Sequence, residues 1–342
     1  MPTRRFNPSR SSPTILLKRD VERNAKIYVA GARTLIGAAI LRELERQGYT
    51  NIVGVLGQEP ELTESAQVDA FFANATPDYV FLVAGKSGGI RANQKYPAEL
   101  MLNNLLVECH VIHIAYCHGV KKLLYLASSC CYPRHCPQPM HVDSLMTGRL
   151  EPTNEAYAIA KLAGIVLCQA YRQQYGTNFI TGIPANAFGP GDDFSSEDSH
   201  VIAALIRKMH EAKARGAEFI EIWGTGAPRR EFIFADDLAD ACIFIMREYT
   251  GSGPINIGSG SDISIRELAE TVKDVVGYQG ELCFDGSKPD GMPLKSLDSS
   301  ILMRMKWKPE TPFDLALSAT YDWFLERESK EEKTTKEAVR VR

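Results

Sequence analysis

Apolar and polar positions follow two rhythms along this chain, and the change from one to the other marks its elements. Lys26-Ile-Tyr-Val-Ala30 is a short apolar run that stops at Gly31, as a buried strand does. Ile36, Ile40 and Leu44 then recur at spacings of four, one face of a helix, and Gly48 closes it. Apolar runs at 52–56, 79–84, 123–127 and 179–183 predict four more strands. The stretches 98–117 and 156–174 predict helices. Strands alternating with helices imply parallel βαβ units and an α/β, doubly wound sheet. Such sheets bind ligands beyond the carboxyl ends of their strands. Residues 31–37, 57, 85–90, 128–131 and 184–188 follow those ends, so function is expected there.

Beyond Pro190 the rhythm loosens. A helix is predicted at 201–214 and a strand at 219–223. The segment 230–234 leads into Asp236-Asp237, a pair better suited to opening a helix than to binding metal. Residues 255–258 end a strand, and Ser264-x-x-Glu267 is a capping box for a helix reaching Val276. The expected organisation is a tail at 1–25 and a nucleotide-binding domain at 26–185. Residues 186–327 then form a smaller, partly discontinuous lobe with some returns to the sheet, and 328–342 a charged tail.

Composition narrows the function classes. The 342 residues are 44% apolar and 24% charged, with a net charge of −3 and no long basic block. That disfavours binding to nucleic acid backbones. No apolar run is read as long enough to cross a bilayer, so no membrane partner is expected. Eight cysteines without a framework suggest free thiols and a reducing, cytoplasmic setting. Cys130, Cys131, His135, Cys136 and His141 lie close together, but their spacing matches no paired metal-binding knuckles. The first 25 residues are basic and carry no acid before Asp20; they read as a loosely attached tail, or alternatively as a transit peptide. The run from Glu326 is read as a solvated helix end or a disordered tail.

Two motifs carry chemistry. Gly31-Ala-Arg-Thr-Leu-Ile-Gly37 is a strand-turn-helix junction whose helix amino end can hold a pyrophosphate. Tyr157-Ala-Ile-Ala-Lys161 places a phenol and an ammonium on one helix face. The cation is expected to lower the tyrosine pKa and make the phenol a usable acid or base. Ser128-Ser129 stands about thirty residues upstream at a strand end, where a hydroxyl can bind the same reacting oxygen.

With Ser128-Ser-Cys-Cys-Tyr-Pro133, the stretch Leu150 to Gly164, Ser199-His-Val-Ile202, Arg230-Glu-Phe232 and Lys288-Pro-Asp-Gly291, residues 26–327 resemble the extended short-chain dehydrogenase/reductases. Within them the chain is most similar to the GDP-L-fucose synthase family, which epimerises C3 and C5 of GDP-4-keto-6-deoxy-D-mannose and reduces C4. The resemblance implies a Rossmann-type domain and a hydride-transfer triad of Ser128, Tyr157 and Lys161. It implies that Cys130 and His200 move the protons at C3 and C5. Lys208, Trp223, Arg230, Asp290 and Lys295 fall at substrate-contact positions. The cofactor would lie against Gly31, Arg33, Thr34, Leu35, Ile36 and Gly37, against Leu126, Ala127, Ser128 and Lys161, and against Pro184, Asn186, Ala187 and His200. Family members pair through two helices per subunit, so a homodimer is implied. The chemistry is coherent: a carbon next to a ketone is acidic, and thiol and imidazole titrate within about two units of neutrality.

The chain departs from the family pattern in places. Thr34 stands for a middle glycine, Ala32 for a histidine, and Lys208 for an arginine, whose fork would be more directional on phosphate. Arg33 suits the 2′-phosphate of NADP(H), but Gly57 stands where a second arginine is expected. No acid ends that strand at once, so NAD(H) is the alternative cofactor. Bland rivals remain: Cys130 as a buried small residue, His200 as a helix start capped by Ser199, Trp223 as core, and Arg230 paired with Glu231 or Asp236. A related GDP-4-keto sugar handled with only one of the two activities is an open alternative, as is a non-catalytic nucleotide-sensing scaffold. His113, His118, His135 and His141 receive no role.

Overall fold

A computed structural model describes residues 21–55, 57–195, 199–288 and 290–340; residues 1–20 of the basic leader lie outside them, while Val21 and Ala25 are buried in the main core. The first half holds β1 (Ile27–Ala30), α1 (Leu35–Arg46), β2 (Ile52–Val53), α2 (Ser65–Ala75), β3 (Tyr79–Leu82) and α3 (Ile90–Lys95). It continues with α4 (Pro97–Cys117), β4 (Lys122–Leu126), α5 (Glu155–Tyr175), β5 (Phe179–Pro184) and β6 (Asn186–Phe188). The second half holds α6 (Val201–Arg215), β7 (Phe219–Trp223), β8 (Arg229–Phe234), α7 (Ala235–Glu248), β9 (Ile255–Ile257) and β10 (Asp262–Ser264). It ends with α8 (Ile265–Val276), β11 (Glu281–Asp285), β12 (Leu294–Lys295), α9 (Ser300–Arg304) and α10 (Phe313–Arg340).

Six strands form the main sheet in the order β2-β1-β3-β4-β5-β9, every neighbour parallel. Strands β1, β3, β4 and β5 are buried along their whole length, which is why they read as unbroken apolar runs. β9 returns to this sheet from the second half of the chain. A second apolar core gathers Phe188, Ile206, Met209, Phe232, Leu268 and Phe324 beneath the smaller lobe. The predicted capping box is present: Ser264 Oγ accepts from Glu267 N at 3.1 Å, and Glu267 Oε2 accepts from Ser264 N at 2.9 Å.

Some expectations change. β2 is two residues long, not five, because the chain turns away at Gly54, whose φ is +74°. Helix α2 breaks the predicted rhythm; Val68 and Phe72 are its buried stripe. The charge-rich terminus continues α10 as far as Arg340. Helix α4, 21 residues at mean hydropathy 1.3, is by length and composition able to cross a membrane, contrary to the sequence reading. Here it lies on the sheet with Leu100, Val107, Val111 and Ile112 buried, and it also buries Asn104 and Glu108.

Two buried polar groups fix the parts that frame the site. Lys122 Nζ donates to the carbonyls of Ile245, Met246 and Tyr249 at 3.1, 2.6 and 2.7 Å, satisfying the carboxyl end of α7. Burial pulls that ammonium down to about 8. Glu231 on β8 accepts from Leu297 N at 2.6 Å and Gly260 N at 2.8 Å, tying the lobe's central strand to two loops.

Candidate active site

A cleft of about 910 Å³ opens beyond the carboxyl ends of β1, β3, β4 and β5, between the sheet and the smaller lobe. At one end stands the first turn. A Cβ on Gly31 would come within 2.7 Å of the Ala84 amide nitrogen, and one on Gly37 within 1.9 Å of the Gly31 carbonyl. These two glycines therefore shape the turn, while Arg33, Thr34, Leu35 and Ile36 line the cleft. Thr34 replaces a glycine because it caps α1: its Oγ1 accepts from Gly37 N at 3.1 Å and donates to the Gly31 carbonyl at 2.8 Å. A tight turn with free helix-end amides fits a dinucleotide pyrophosphate.

Arg33 is exposed and pairs with Glu59 Oε2 at 3.3 Å. Glu59 is an acid that the sequence reading missed, since it lies six residues past the end of β2. Its other oxygen is buried without a hydrogen-bond partner.

Deeper in the cleft, β4 ends at Leu126 and the chain turns through Ser128, whose Oγ accepts from Cys130 N at 3.2 Å. The amino end of α5 brings Tyr157 and Lys161 to the same wall. Burial pushes the Tyr157 phenol well up, the Cys130 thiol adds to this, and a hydrogen bond with Ser128 draws it down. The expected lowering by Lys161 does not prevail. Burial is the larger effect on the phenol; Lys161 Nζ itself lies 3.1 Å from Glu108 Oε1 and 3.5 Å from the Leu126 carbonyl. Leu126, Ala127, Pro184, Asn186 and Ala187 line the same cleft.

Cys130 is half-buried, and its Sγ accepts from Asn154 Nδ2 at 3.1 Å and from Lys295 Nζ at 3.5 Å. It is thus a polar, cleft-lining thiol and not a core residue. His200 also lines the cleft, half-exposed, with Nδ1 4.0 Å from Asp192 Oδ1. His200, not Ser199, is the N-cap residue of α6.

Trp223 is half-exposed at the cleft, with the Arg91 guanidinium 4.7 Å from its ring centre, so it is not core. Arg230 lines the cleft but pairs with neither Glu231 nor Asp236 here. Its guanidinium donates to the carbonyls of Met292 at 2.5 Å, Arg229 at 2.8 Å and Asp290 at 3.4 Å, and burial lowers its pKa. Two predicted substrate contacts lie off the lining. Lys208 donates to the Glu221 carbonyl, which draws it along β7. Asp290 turns its carboxylate to Thr225, accepting from its N at 2.7 Å and its Oγ1 at 2.8 Å, while Gly291 and Met292 reach the cleft instead. Asp236 and Asp237 open α7 as predicted. Among the described residues no group of three metal-binding side chains is gathered.

Comparison with known proteins bears directly on this arrangement. The profile of the NAD dependent epimerase/dehydratase family matches residues 27–258. The chain belongs to that family. It is 54% identical over 304 residues to GDP-L-fucose synthase 1 of Arabidopsis thaliana, covering 89% of this chain and 94% of that one. It is 45% identical over 314 residues to GDP-L-fucose synthase of Escherichia coli (strain K12), covering 89% and 98%. Among solved structures, a GDP-L-fucose synthetase from Naegleria fowleri bound to NADP superposes with a TM-score of 0.83 at 27% identity, covering 91% of this chain and 97% of that one. A GDP-6-OMe-4-keto-L-xylo-heptose reductase from C. jejuni superposes at 0.85 with 34% identity, covering 90% and 100%. Both solved structures superpose over nine-tenths of this chain.

Proposed function

We propose that the chain converts GDP-4-keto-6-deoxy-D-mannose to GDP-L-fucose, epimerising C3 and C5 and then reducing C4 with NADPH. The observation that carries this reading is the sharing of one cleft by two kinds of proton carrier. Ser128 and Tyr157 stand at one wall, and Cys130, held by Lys295 and Asn154, stands beside them with His200 across the lining. The relatives named GDP-L-fucose synthase at 45–54% identity support the same reading.

NADPH, when bound along the glycine turn and Arg33, supplies the hydride. Ser128 and Tyr157 donate hydrogen bonds to the C4 oxygen, so that charge arising when a neighbouring C–H is broken rests on that oxygen. Cys130 and His200 remove and return protons at C3 and C5; inversion needs a group on each face of the ring. When C4 is reduced, the Tyr157 O–H breaks and its proton completes the new C4 hydroxyl. One ketone therefore serves both halves of the reaction. Trp223 offers a flat apolar face for the guanine, and Arg230 and Lys295 offer positive charge to the diphosphate and sugar.

The outer faces of α4 and α5 expose Leu102, Val166 and Tyr175, and Tyr116 stacks on Tyr175 at 4.3 Å between ring centres. This apolar strip supports a homodimer through these two helices; sedimentation of the purified chain tests it. For the reaction, purified protein is given GDP-4-keto-6-deoxy-D-mannose and NADPH in D2O. The expected result is stoichiometric NADPH oxidation and GDP-L-fucose deuterated at C3 and C5. Oxidation without inversion, or none at all, overturns the assignment.

A further inference from the structure

Beneath the cleft lies a charged pair that the reaction as written does not use. Glu108, on the buried face of α4, is 1% exposed, and Lys161, on α5, is 5% exposed. Glu108 Oε1 accepts from Lys161 Nζ at 3.1 Å and from the Tyr125 hydroxyl at 2.7 Å, while Oε2 has no hydrogen-bond partner. Tyr125 is itself fully buried and packs so closely on α5 that a Cβ at Gly164 would lie 2.5 Å from its ring. Its ring centre is 5.1 Å from Lys161 Nζ. Glycine at 164 thus lets Tyr125 in, Tyr125 fixes Glu108, and Glu108 fixes Lys161.

Burying two charges is costly, and a well-packed apolar pair of similar volume is often no less stable. Stability alone therefore does not explain this pair. The groups facing it are Tyr125 from β4, Tyr157 and Cys168 from α5, Cys109 from α4, and Cys131 from the turn after β4, with Cys130 facing Tyr157. Burial pushes the two cysteines Cys131 and Cys168 up to about 12, and it pushes Tyr125 and Cys109 up as well. At neutral pH these thiols and phenols carry no charge. Burial pushes the Glu108 carboxyl up too, while Lys161 and the Tyr125 hydroxyl draw it back down, and it is the acid that Lys161 meets. Lys161 sits one helical turn beyond Tyr157, the group whose oxygen becomes anionic as it gives up its proton.

We propose that Glu108 is a positioning residue of the reduction: it keeps Lys161 cationic and fixed beside Tyr157, so that the phenolate formed on proton transfer is met by a positive charge. The inference rests on the reduction assigned above. In the step itself the Tyr157 O–H breaks, an O–H forms on the C4 oxygen, the hydride comes from NADPH, and Lys161 keeps its proton. Without the carboxylate, the ammonium is left buried with no counter-charge.

The test uses the full chain as Glu108→Gln and Glu108→Asp, with two readouts from about pH 6 to about pH 10: NADPH oxidation, and deuterium uptake at C3 and C5. Glu108→Gln is expected to slow reduction about tenfold or more at saturating substrate, with KM for NADPH little changed. It is also expected to move the alkaline fall of the rate to lower pH by about one unit or more, and to slow deuterium uptake far less. Glu108→Asp keeps the charge but retracts it, so its profile should lie between the two. If Glu108→Gln does not fold, Glu108→Asp alone decides by the same criteria. Profiles that are scaled copies of the wild type, or uptake that falls as much as reduction, overturn the proposal. An inert wild type sinks the functional reading and this inference with it; an active wild type with unmoved profiles sinks this inference alone.

Discussion

The ammonium of Lys295 lies 3.5 Å from the sulfur of Cys130, joining two residues 165 positions apart at one point of the cleft. A cation and an amide donor both favour a sulfur that carries charge, as Cys130 does before it takes a proton from carbon or after it gives one up. Cys130→Ser should abolish deuterium uptake at C3 and C5 while leaving NADPH binding intact. Lys295→Met should cut uptake by about tenfold, the loss of one hydrogen bond to a charged group. Uptake at the wild-type rate in either variant would show that the protons move elsewhere.

Tyr157 gives a prediction of a different kind. Its phenol is held protonated by burial, which suits a group whose work is to donate. Tyr157→Phe should lose reduction by about a thousandfold or more, because proton transfer and oxygen stabilisation vanish together. NADPH should still bind, measurable by fluorescence titration, and some deuterium uptake should survive through Ser128. Undiminished turnover would place the acid elsewhere in the cleft.

Much of this was legible in the chain because strands buried on both faces read as apolar runs, and because residues that follow strand ends collect at one edge of the sheet. Ser128 is read on that logic, Tyr157 and Lys161 from their spacing on one helix face, and the role of Cys130 from the family resemblance. Lys208 and Asp290 stand off the lining because each is held by a local partner, the Glu221 carbonyl and Thr225, which no periodicity shows. Glu108 went unnoticed although a signal existed: Asn104 and Glu108 fall on the helical stripe of Leu100, Val107, Val111 and Ile112, where only apolar residues are expected. The distance from Lys161 to that carboxylate is set by how α4 packs on α5, and no periodicity contains it. Glu59 was hidden likewise, because β2 ends early and the chain doubles back towards Arg33.

Arg33 should decide cofactor choice. Its side chain is 68% exposed and held only at an exposed-edge ion pair with Glu59, so it can turn to a 2′-phosphate at little cost. Arg33→Ala should raise KM for NADPH by about tenfold or more and leave KM for NADH nearly unchanged. Steady-state kinetics with both cofactors measures this. An equal loss with both would assign the arginine to the shared pyrophosphate.

Asp78 links the sheet to acid stability. It precedes β3 and accepts from Lys26 N at 2.9 Å, while Lys121 Nζ lies 3.0 Å from its other oxygen. Burial works to raise its pKa, but the Lys26 amide and the Lys121 ammonium outweigh it and hold the carboxyl below its ordinary 3.8. A carboxyl more acidic in the folded chain than in the unfolded one stabilises the fold above the unfolded pKa; that stabilisation fades as pH falls through the folded value. Asp78→Asn should therefore be less stable than the wild type by about 1 kcal/mol at neutral pH, since the site is partly exposed. Below about pH 4 the gap should close, because the unfolded wild type then takes up a proton that the folded chain resists. Urea unfolding at neutral pH and at successively lower pH measures the gap directly. A gap that stays constant down to the acid limit would mean that Asp78 acts through packing at the start of β3 and not through its charge.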